Sequence, residues 1–430
     1  MRLVHVTFLL LAGCAGRAMP SLADRPTPLA AGYNPVELVD PQAVAAEREA
    51  LDARALYAAA ELVRTSVRPV GHRPPARKSV LCLSGGGAYG AYTAGILCGW
   101  SERGDRPTFD VVTGISTGAL AAPLAFLGAD YDADLRTFYT TLKNEDLYRV
   151  RRSVRAVFAD SLADTGPLAK KVDEVITTGV LARLAAEHAR GRRLYIGTTE
   201  LESRRQVVWD VGAIAARGRP DDLDLVRKVL LASAAIPGFF PPVNIPVTVD
   251  GKHLMERHVD GGVSASLFYR APHLTDAERA DPAALSDSDL YMVVAGKLYA
   301  DPNRVKPWSL SIAGEAVAAV IYSQSRGDLM RLYTACVLTG MRYHLAAIPP
   351  EFVAPTSSTD FNPADMKRMF DLGATTAKDA TAWRATPPGL GAGEGSFPRQ
   401  GTDLVRSPAS GGRKPAEEGP PVAGAGLPPL

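Results

Sequence analysis

The sequence predicts an α/β fold in which a mostly parallel central sheet is covered by helices on both faces, giving three layers (α/β/α). Two observations support this fold class. Short apolar runs rich in β-branched residues recur between helical stretches, and they lack the strict apolar–polar alternation of half-exposed strands. The composition is also that of a globular chain, since 46% of the 430 residues are hydrophobic and 22% are charged.

The apolar runs predict strands that begin near Ser79. In chain order they are SVLCLS, FDVVTGIS, RLYIGTTEL, QVVWDV, DLYMVVAGK and RYHLAAI. The stretch VTVDGKHLMERHVDGG contains Asp250-Gly251, a dipeptide typical of a hairpin turn. We therefore expect an antiparallel excursion that returns HVDGG to the sheet.

Helical spacing of apolar residues predicts the helices that cover the sheet. They comprise a helix from about Ala88, TGALAAPLAFLG, DLDLVRKVLLASAAI, Ser309 to about Leu338, and Pro363 to Trp383. A further Ala-rich helix is predicted from Pro41 to about Val67, with Asp40 as its cap.

The first residues have the features of a targeting segment. Arg2 precedes an apolar run, Leu3 to Ala12, that is too short to span a bilayer. The junction LAGC ending at Cys14 resembles the bacterial lipobox, in which the signal peptide is cut before a cysteine that carries lipid. We expect lipid anchoring in the bacterial cell envelope, at the outer membrane because Ala15 follows the cysteine. The alternative is an ordinary signal cut near Ala18, which gives a secreted or periplasmic protein.

Four segments follow from these observations. Residues 1–13 are predicted to be the signal peptide and residues 14–78 a lipid-anchored tether with the N-terminal helix. Residues 79–383 form the predicted folded domain. Residues 384–430 are rich in Pro and Gly and are predicted to be a disordered tail, because they cannot bury enough apolar surface.

Charge and cysteine content narrow the possible partners. The chain has 48 basic and 46 acidic side chains, so its net charge of +2 predicts no nucleic-acid partner. Beyond Cys14, the cysteines Cys82, Cys98 and Cys336 lie in apolar runs without CxxC or Cys/His spacing. We expect them to be buried core thiols and expect no metal site.

A glycine-rich loop follows the first predicted strand in LCLSGGGAYGAYTAGIL. Gly85, Gly87 and Gly90 satisfy the G-x-G-x-x-G pattern of dinucleotide-binding loops. Taken alone, this spacing is compatible with a phosphate cradle, an oxyanion-stabilising loop or a tight turn.

A second motif, GISTG at residues 114 to 118, is a G-x-S-x-G between a predicted strand and a predicted helix. In such a nucleophile elbow, flanking glycines such as Gly114 and Gly118 permit the sharp turn that exposes the serine hydroxyl. The helix behind it directs backbone N–H groups toward developing negative charge. This context favours Ser116 as a nucleophile.

A serine nucleophile needs a base, and VDGG offers Asp260. An aspartate before two glycines is commonly a turn residue, and its exposed pKa of about 4 makes it a poor base. Partial desolvation would raise its basicity, and a hydrogen bond to Ser116 would place it to accept the proton. Gly85, Gly86 and Gly87 would then supply backbone N–H donors for an oxyanion hole, with no metal or cofactor required.

Together these motifs resemble the patatin-like phospholipases. GGGAYG is similar to their oxyanion loop, GISTG to their nucleophile elbow, DGG to their catalytic Asp-Gly-Gly/Ala, and ASAAIPGFFPPV to the segment preceding that aspartate. The resemblance covers about residues 79 to 380. It implies a Ser116/Asp260 dyad without histidine that hydrolyses acyl esters of lipids or lysophospholipids. Tyr89 departs from the family, where many members have Arg or Lys.

Three alternatives remain open from the sequence. An α/β-hydrolase would use a triad of Ser116, Asp260 and His344, although His344 lies inside a predicted strand. A nucleotide-binding oxidoreductase would use the glycine loop with Asp110 as the ribose-binding acid. A lipoprotein that only binds a partner would have Ser116 buried and distant from Asp260.

Overall fold

The computed structural model describes residues 77–150, 161–249, 252–275, 284–301, 305–355 and 357–390. The predicted signal peptide, Cys14, the tether and the N-terminal helix lie outside the described residues, as does the predicted tail beyond residue 390. The proposed segment boundaries therefore stay predictions.

The strands are β1 (Ser79–Leu83), β2 (Val111–Ile115), β3 (Arg149–Val150), β4 (Ala163–Asp164), β5 (Arg193–Glu200), β6 (Arg205–Asp210), β7 (Val243–Val249), β8 (Lys252–Asp260), β9 (Asp289–Val294) and β10 (Arg342–Ala347). Eight of them form one sheet in the order β10-β9-β1-β2-β5-β8-β7, with β6 also paired to β5. The short strands β3 and β4 pair only with each other among the described residues.

The helices are α1 (Gly90–Arg103), α2 (Thr117–Leu127), α3 (Asp132–Thr141), α4 (Asn144–Leu147), α5 (Gly166–Val175), α6 (Thr178–Ala189), α7 (Val211–Ala216), α8 (Asp222–Ser233), α9 (Ser309–Thr339) and α10 (Pro363–Lys378). Within the described residues, none is both long enough and apolar enough to cross a membrane.

The predicted mixed sheet is confirmed by the strand pairing. Strands β10, β9, β1, β2 and β5 run parallel, whereas β6, β7 and β8 are antiparallel to their neighbours. The predicted hairpin is present as the β7–β8 pair, with Val249 opposite Lys252. Its two expected turn residues, Asp250 and Gly251, lie outside the described residues.

Strand β1 demonstrates the three layers because its side chains enter two separate cores in alternation. Leu81 and Leu83 belong to the core that contains α1, α2 and α10. Val80 and Cys82 belong to the core formed with the second half of α9. Successive side chains of a strand point to opposite faces, so both faces of the sheet are covered. This explains why the run SVLCL is apolar throughout.

Cys82, Cys98 and Cys336 are free and buried, as the sequence predicted. Burial raises the pKa of the Cys82 thiol to about 12, so the thiolate form is strongly disfavoured.

Several element boundaries differ from the prediction; for example, α8 ends at Ser233 rather than Ile236. Helix α1 begins at Gly90 because Gly87–Tyr89 form a 3-10 turn. Helix α10 ends at Lys378 rather than Trp383, because the following residues return to the sheet, where Arg384 pairs with Leu345. Helices α3 to α6 lie in a stretch for which no element is predicted above.

Helices α1 and α10 approach closely through glycines. A Cβ atom on Gly95 would overlap the carbonyl oxygen of Phe370, and one on Gly99 would overlap that of Ala374. Conversely, a Cβ on Gly373 would overlap the carbonyl oxygen of Tyr92. The glycines thus let the two helix backbones meet directly.

We expect Gly95→Ala to destabilise the protein by about 2 kcal/mol or more, because rigid backbone atoms must separate to admit the methyl group. Glycine-to-alanine exchange normally stabilises a helix by about 1 kcal/mol. Gly314→Ala in α9 is the matched control, since nothing lies within 4 Å of its Cβ position. Urea denaturation should give opposite signs for the two variants; a stabilised Gly95→Ala protein would contradict the close approach.

Candidate active site

Ser116 occupies a strained turn between β2 and α2. Its φ is 54° and its ψ is −124°, in a region that non-glycine residues rarely adopt. A Cβ on Gly114 would lie 2.5 Å from the carbonyl oxygen of Gly118, and one on Gly118 would lie 2.5 Å from that of Leu83. Both flanking glycines are therefore required by close main-chain packing, as expected for a nucleophile elbow.

Ser233, the last residue of α8, holds the backbone of this turn. Its hydroxyl accepts a hydrogen bond from the Ser116 N–H (3.0 Å) and donates one to the carbonyl oxygen of Gly197 (2.7 Å). Ser233 is fully buried, so both backbone groups would lack a partner without it. Sequence reasoning assigned it no role, although it lies within ASAAIPGFFPPV.

Strand β5 brings Asp260 to the same turn. Gly197 of β5 pairs with Ile115 at the end of β2, and the next residue, Thr198, pairs with Asp260 at the end of β8. At these positions β6 pairs with one edge of β5. Strands β2 and β8 therefore both pair with the opposite edge, one after the other along β5, and their ends lie side by side. The residues following β2 and ending β8, Ser116 and Asp260, therefore meet.

The Asp260 side chain is fixed by short hydrogen bonds. Its Oδ1 accepts from the N–H of Gly262 at 2.7 Å, and the Ser116 side chain lies close enough to lower the pKa of the carboxyl group. Its own N–H donates to the carbonyl oxygen of Ala235 at 2.9 Å. Asp260 and Ser116 are each only 6% exposed, so the pair is shielded from bulk water.

Burial raises the pKa of Asp260 to about 6, because desolvation penalises the carboxylate. The hydrogen bonds from Ser116 and Gly262 act in the opposite direction and limit this rise. The carboxyl group is thus still mostly ionised at neutral pH, yet more basic than an exposed aspartate with a pKa of about 4. This combination suits a general base that removes a hydroxyl proton.

The glycine loop lies against Ser116. A Cβ on Gly85 would be 3.0 Å from Ser116 Cβ and 3.7 Å from its Oγ. Gly86 and Gly87 have positive φ values of 156° and 55°, and their Cβ positions would overlap the carbonyl oxygens of Ala295 and Ser358. None of the three N–H groups donates a hydrogen bond to another residue that the structure describes.

Gly90, which completes the G-x-G-x-x-G pattern, has a packing role. Its Cβ would overlap Thr117 Oγ1, in the residue after Ser116. Thr117 is also held by the hydroxyl of Tyr139, which donates to its carbonyl oxygen at 2.7 Å. The pattern is therefore explained by the close approach of α1 to the start of α2.

A mainly apolar cavity opens beside Ser116. Its wall includes Leu120, Phe138, Leu147, Ile236, Phe240 and Met366. Of the two phenylalanines in GFFPPV, Phe240 lines this cavity while being almost completely buried. Phe239 packs instead on Tyr148, with ring centroids 5.0 Å apart.

The residues of the alternative functions lie elsewhere. His344 is in β10, stacked on Tyr291, and its Nε2 is 2.8 Å from Asp289 Oδ1. Asp110 precedes β2 at the amino edge of the sheet, where it accepts from the Ser79 N–H at 2.8 Å. Strands β1 and β9 separate β10 from β2, and the glycine loop follows the carboxyl end of β1. Neither residue joins the cluster around Ser116.

Tyr89, the departure from the family pattern, directs its hydroxyl to the backbone. The hydroxyl donates to the carbonyl oxygen of Pro355. Burial raises the pKa of Tyr89 to about 12, so it is neutral and supplies no cation to the site.

Comparisons with known proteins show what part of the chain is similar to. The family model described as patatin-like phospholipase matches residues 81–272, which include the glycine loop, Ser116 and Asp260. Among solved structures, the chain is similar to that of VipD from Legionella pneumophila, with 14% identity, 71% of this chain and 67% of that chain covered, and a TM-score of 0.36. No curated protein matches the chain.

We expect Asp260→Asn to make the protein more stable above pH 6 than the wild type. Folded Asp260 keeps its proton up to about pH 6, whereas the unfolded chain releases it near 3.8, so wild-type stability falls as the pH rises through this window. The asparagine variant lacks this loss and should gain about 3 kcal/mol at pH 8 and almost nothing at pH 3.5. Urea denaturation across this range tests it; a pH-independent difference would contradict the raised pKa.

Proposed function

We propose that the chain cleaves acyl esters of membrane lipids through a Ser116/Asp260 dyad. Residues 81–272 match the family model of the patatin-like phospholipases, which supports lipid acyl hydrolase activity. The observation that carries the proposal is the alignment of β2 and β8 on β5, which brings the strained Ser116 beside Asp260, a carboxylate whose pKa burial raises to about 6. The lining of the cavity beside Ser116 is mainly apolar, which matches the chemistry of the acyl group of such a substrate.

In the proposed mechanism, Ser116 Oγ attacks the ester carbonyl carbon while Asp260 accepts the hydroxyl proton. The N–H groups of Gly85, Gly86 and Gly87 stabilise the oxyanion. When the tetrahedral intermediate collapses, Asp260 returns the proton to the leaving alcohol and an acyl-serine remains. Water then attacks this ester, giving its proton to Asp260, and collapse releases the fatty acid and returns the proton to Ser116.

The geometry favours this dyad over the alternatives. The hydrogen bond of His344 to Asp289 directs it away from Ser116, which disfavours a triad. Asp110 at the amino edge of the sheet disfavours a ribose site on the glycine loop. Ser116 is buried, as a protein that only binds a partner would require, but it contacts Asp260.

Two further proposals concern substrate and location. Since Tyr89 is neutral and bonded to Pro355, we propose that the ester and its acyl chain, rather than a phosphate group, are the main recognition elements. Lipid anchoring through Cys14 in the bacterial envelope, with secretion as the alternative, rests on the lipobox-like sequence LAGC alone.

We expect a fluorophosphonate probe to label the purified full-length chain at Ser116 only. Ser116→Ala should abolish labelling, and Asp260→Asn should slow it about a thousandfold because the general base is lost. His344→Ala is the control and should leave the rate nearly unchanged. Mass spectrometry of the labelled peptide and labelling time courses provide the measurement.

The wild-type labelling rate should also rise with pH and level off above a midpoint near 6, where Asp260 loses its proton. Labelling at another residue, or a large loss caused by His344→Ala in a folded protein, would contradict the dyad.

We expect Gly85→Ala to lower kcat/KM for a soluble ester about a hundredfold, because its methyl group crowds Ser116 and displaces the oxyanion donors. Its unfolding midpoint should fall less than that of Gly86→Ala, since the nearest atom, Ser116 Cβ, is 3.0 Å from the added Cβ. Gly86→Ala, whose Cβ overlaps the Ala295 carbonyl, should instead lose the fold. Ester kinetics combined with thermal denaturation distinguish these outcomes; unchanged kinetics in Gly85→Ala would remove the loop from the mechanism.

A further inference from the structure

Helix α9 is much longer than the sheet it covers. It has 31 residues, which corresponds to about 46 Å, whereas the neighbouring β9 has six residues and spans about 20 Å. Only its second half packs on the sheet, through Leu329, Leu332 and Cys336. The first half, Ser309 to Ser325, therefore extends beyond the sheet.

The direction of α9 places this extension at the carboxyl edge of the sheet. The helix connects β9 to its parallel neighbour β10, so it runs antiparallel to both strands. Its end at Thr339 meets the amino edge of the sheet, where Gly340 accepts a hydrogen bond from the Asp287 N–H. Its first half must consequently lie at the carboxyl edge, where β2 ends and Ser116 follows.

The extended half is apolar and exposed. We define the docking face as five large apolar side chains, in this half and at the residue before it, that are each at least half exposed: Trp308 (61%), Ile312 (55%), Val317 (59%), Val320 (63%) and Ile321 (50%). Glu315 is the single charged residue between Ser309 and Ser325. Several such side chains on one helix indicate a binding surface.

The docking face is continuous with the turn that holds Asp260. Gln324 donates from Nε2 to the carbonyl oxygen of Gly262 at 3.2 Å. Val320 and Val317 precede Gln324 by about one and two helical turns and so lie along the same face. Val263, in the same turn as Gly262, is itself 50% exposed. An apolar phase contacting this face would therefore lie next to the reaction centre.

The arrangement of the docking face favours a lipid surface over a second protein chain. At about 100° per residue, its five side chains spread over roughly 220° of the helix circumference, which is much wider than a helix-pairing seam. Lys306 lies 5.5 Å from the Trp308 ring centroid at the outer end, and Trp and Lys are residues typical of membrane interfaces. Lys306 also complements anionic headgroups.

We propose that the first half of α9, together with Val263, docks the enzyme on a lipid bilayer and so presents the site to its ester substrates. This inference rests on the proposed function, which places the substrate in a lipid phase. Immersion of the docking face would remove its apolar side chains from water and hold the carboxyl edge of the sheet against the membrane.

The test compares two equally exposed positions of the same helix. Val320 and Leu338 are both 63% exposed, but Leu338 lies at the opposite, amino edge of the sheet. Val320→Gln, a triple variant with Val317→Gln and Ile321→Gln, and the control Leu338→Gln are made in the full-length chain. All of them, and the reference protein, carry Cys14→Ser to prevent lipid anchoring. Glutamine has the higher helix propensity, so the helix is retained.

Binding is measured by sedimentation with vesicles of ether-linked phosphatidylethanolamine and phosphatidylglycerol, which the enzyme cannot hydrolyse. We expect about fivefold weaker binding for Val320→Gln and about a hundredfold for the triple variant, with no change for Leu338→Gln. Fluorophosphonate labelling and turnover of a soluble short-chain ester should be unchanged in all variants. Hydrolysis of ester-linked vesicles should fall with binding.

Other outcomes would overturn the proposal. Unchanged vesicle binding in the triple variant would exclude a lipid-docking role for this face. A dimer in the reference protein that the triple variant dissociates, without an effect on vesicles, would assign the face to a second copy of the chain. A fall in the free energy of unfolding with binding unchanged would assign it to an intramolecular contact. Absent labelling with helix-dependent vesicle binding would refute the proposed catalysis but retain the docking surface.

Discussion

The register of β5 at Gly197 and Thr198 is the constraint on which the candidate site depends. These adjacent residues align the ends of β2 and β8 on one strand edge. The carbonyl oxygen of Gly197 accepts from Ser233, which in turn holds the Ser116 N–H, and the same oxygen leaves no space for a Cβ on Gly261. A shift of one residue along β5 would reverse the side chains of β8 and separate the pair.

This register also sustains two locally unfavourable features. The backbone of Ser116 is in a strained conformation, and the carboxylate of Asp260 is removed from water. Each costs free energy of about 1 kcal/mol or more. The surrounding sheet and helices, with main-chain contacts too close for a Cβ at Gly114 and Gly118, offset this cost. Basicity of the carboxyl group and strain at the serine are thus both products of tertiary packing, and they oppose stability.

The two edges of the sheet differ in character. At the amino edge, the buried carboxylate of Asp289 is hydrogen-bonded to Arg77, Arg342 and His344, and the two arginines compensate its negative charge. At the carboxyl edge, the glycine loop and the apolar cavity lie beside Ser116, and the extended half of α9 carries exposed apolar side chains. Groups available to a substrate are therefore concentrated at the edge where parallel strands end, as is usual for ligand sites in open α/β sheets.

The sequence by itself determined the fold class, the hairpin, and the three motifs around Gly85, Ser116 and Asp260, because each has a local signature in turn-forming glycines or in the period of apolar residues. Only the tertiary structure decided that Ser116 and Asp260 touch and that Asp260 is desolvated. Ser233 shows the physical reason: it is 117 residues from Ser116, and it resembles any other serine at a helix end until β5 fixes the register. The extension of α9 beyond the sheet was likewise visible only in the structure, since the sequence of a helix does not show where the neighbouring strands end.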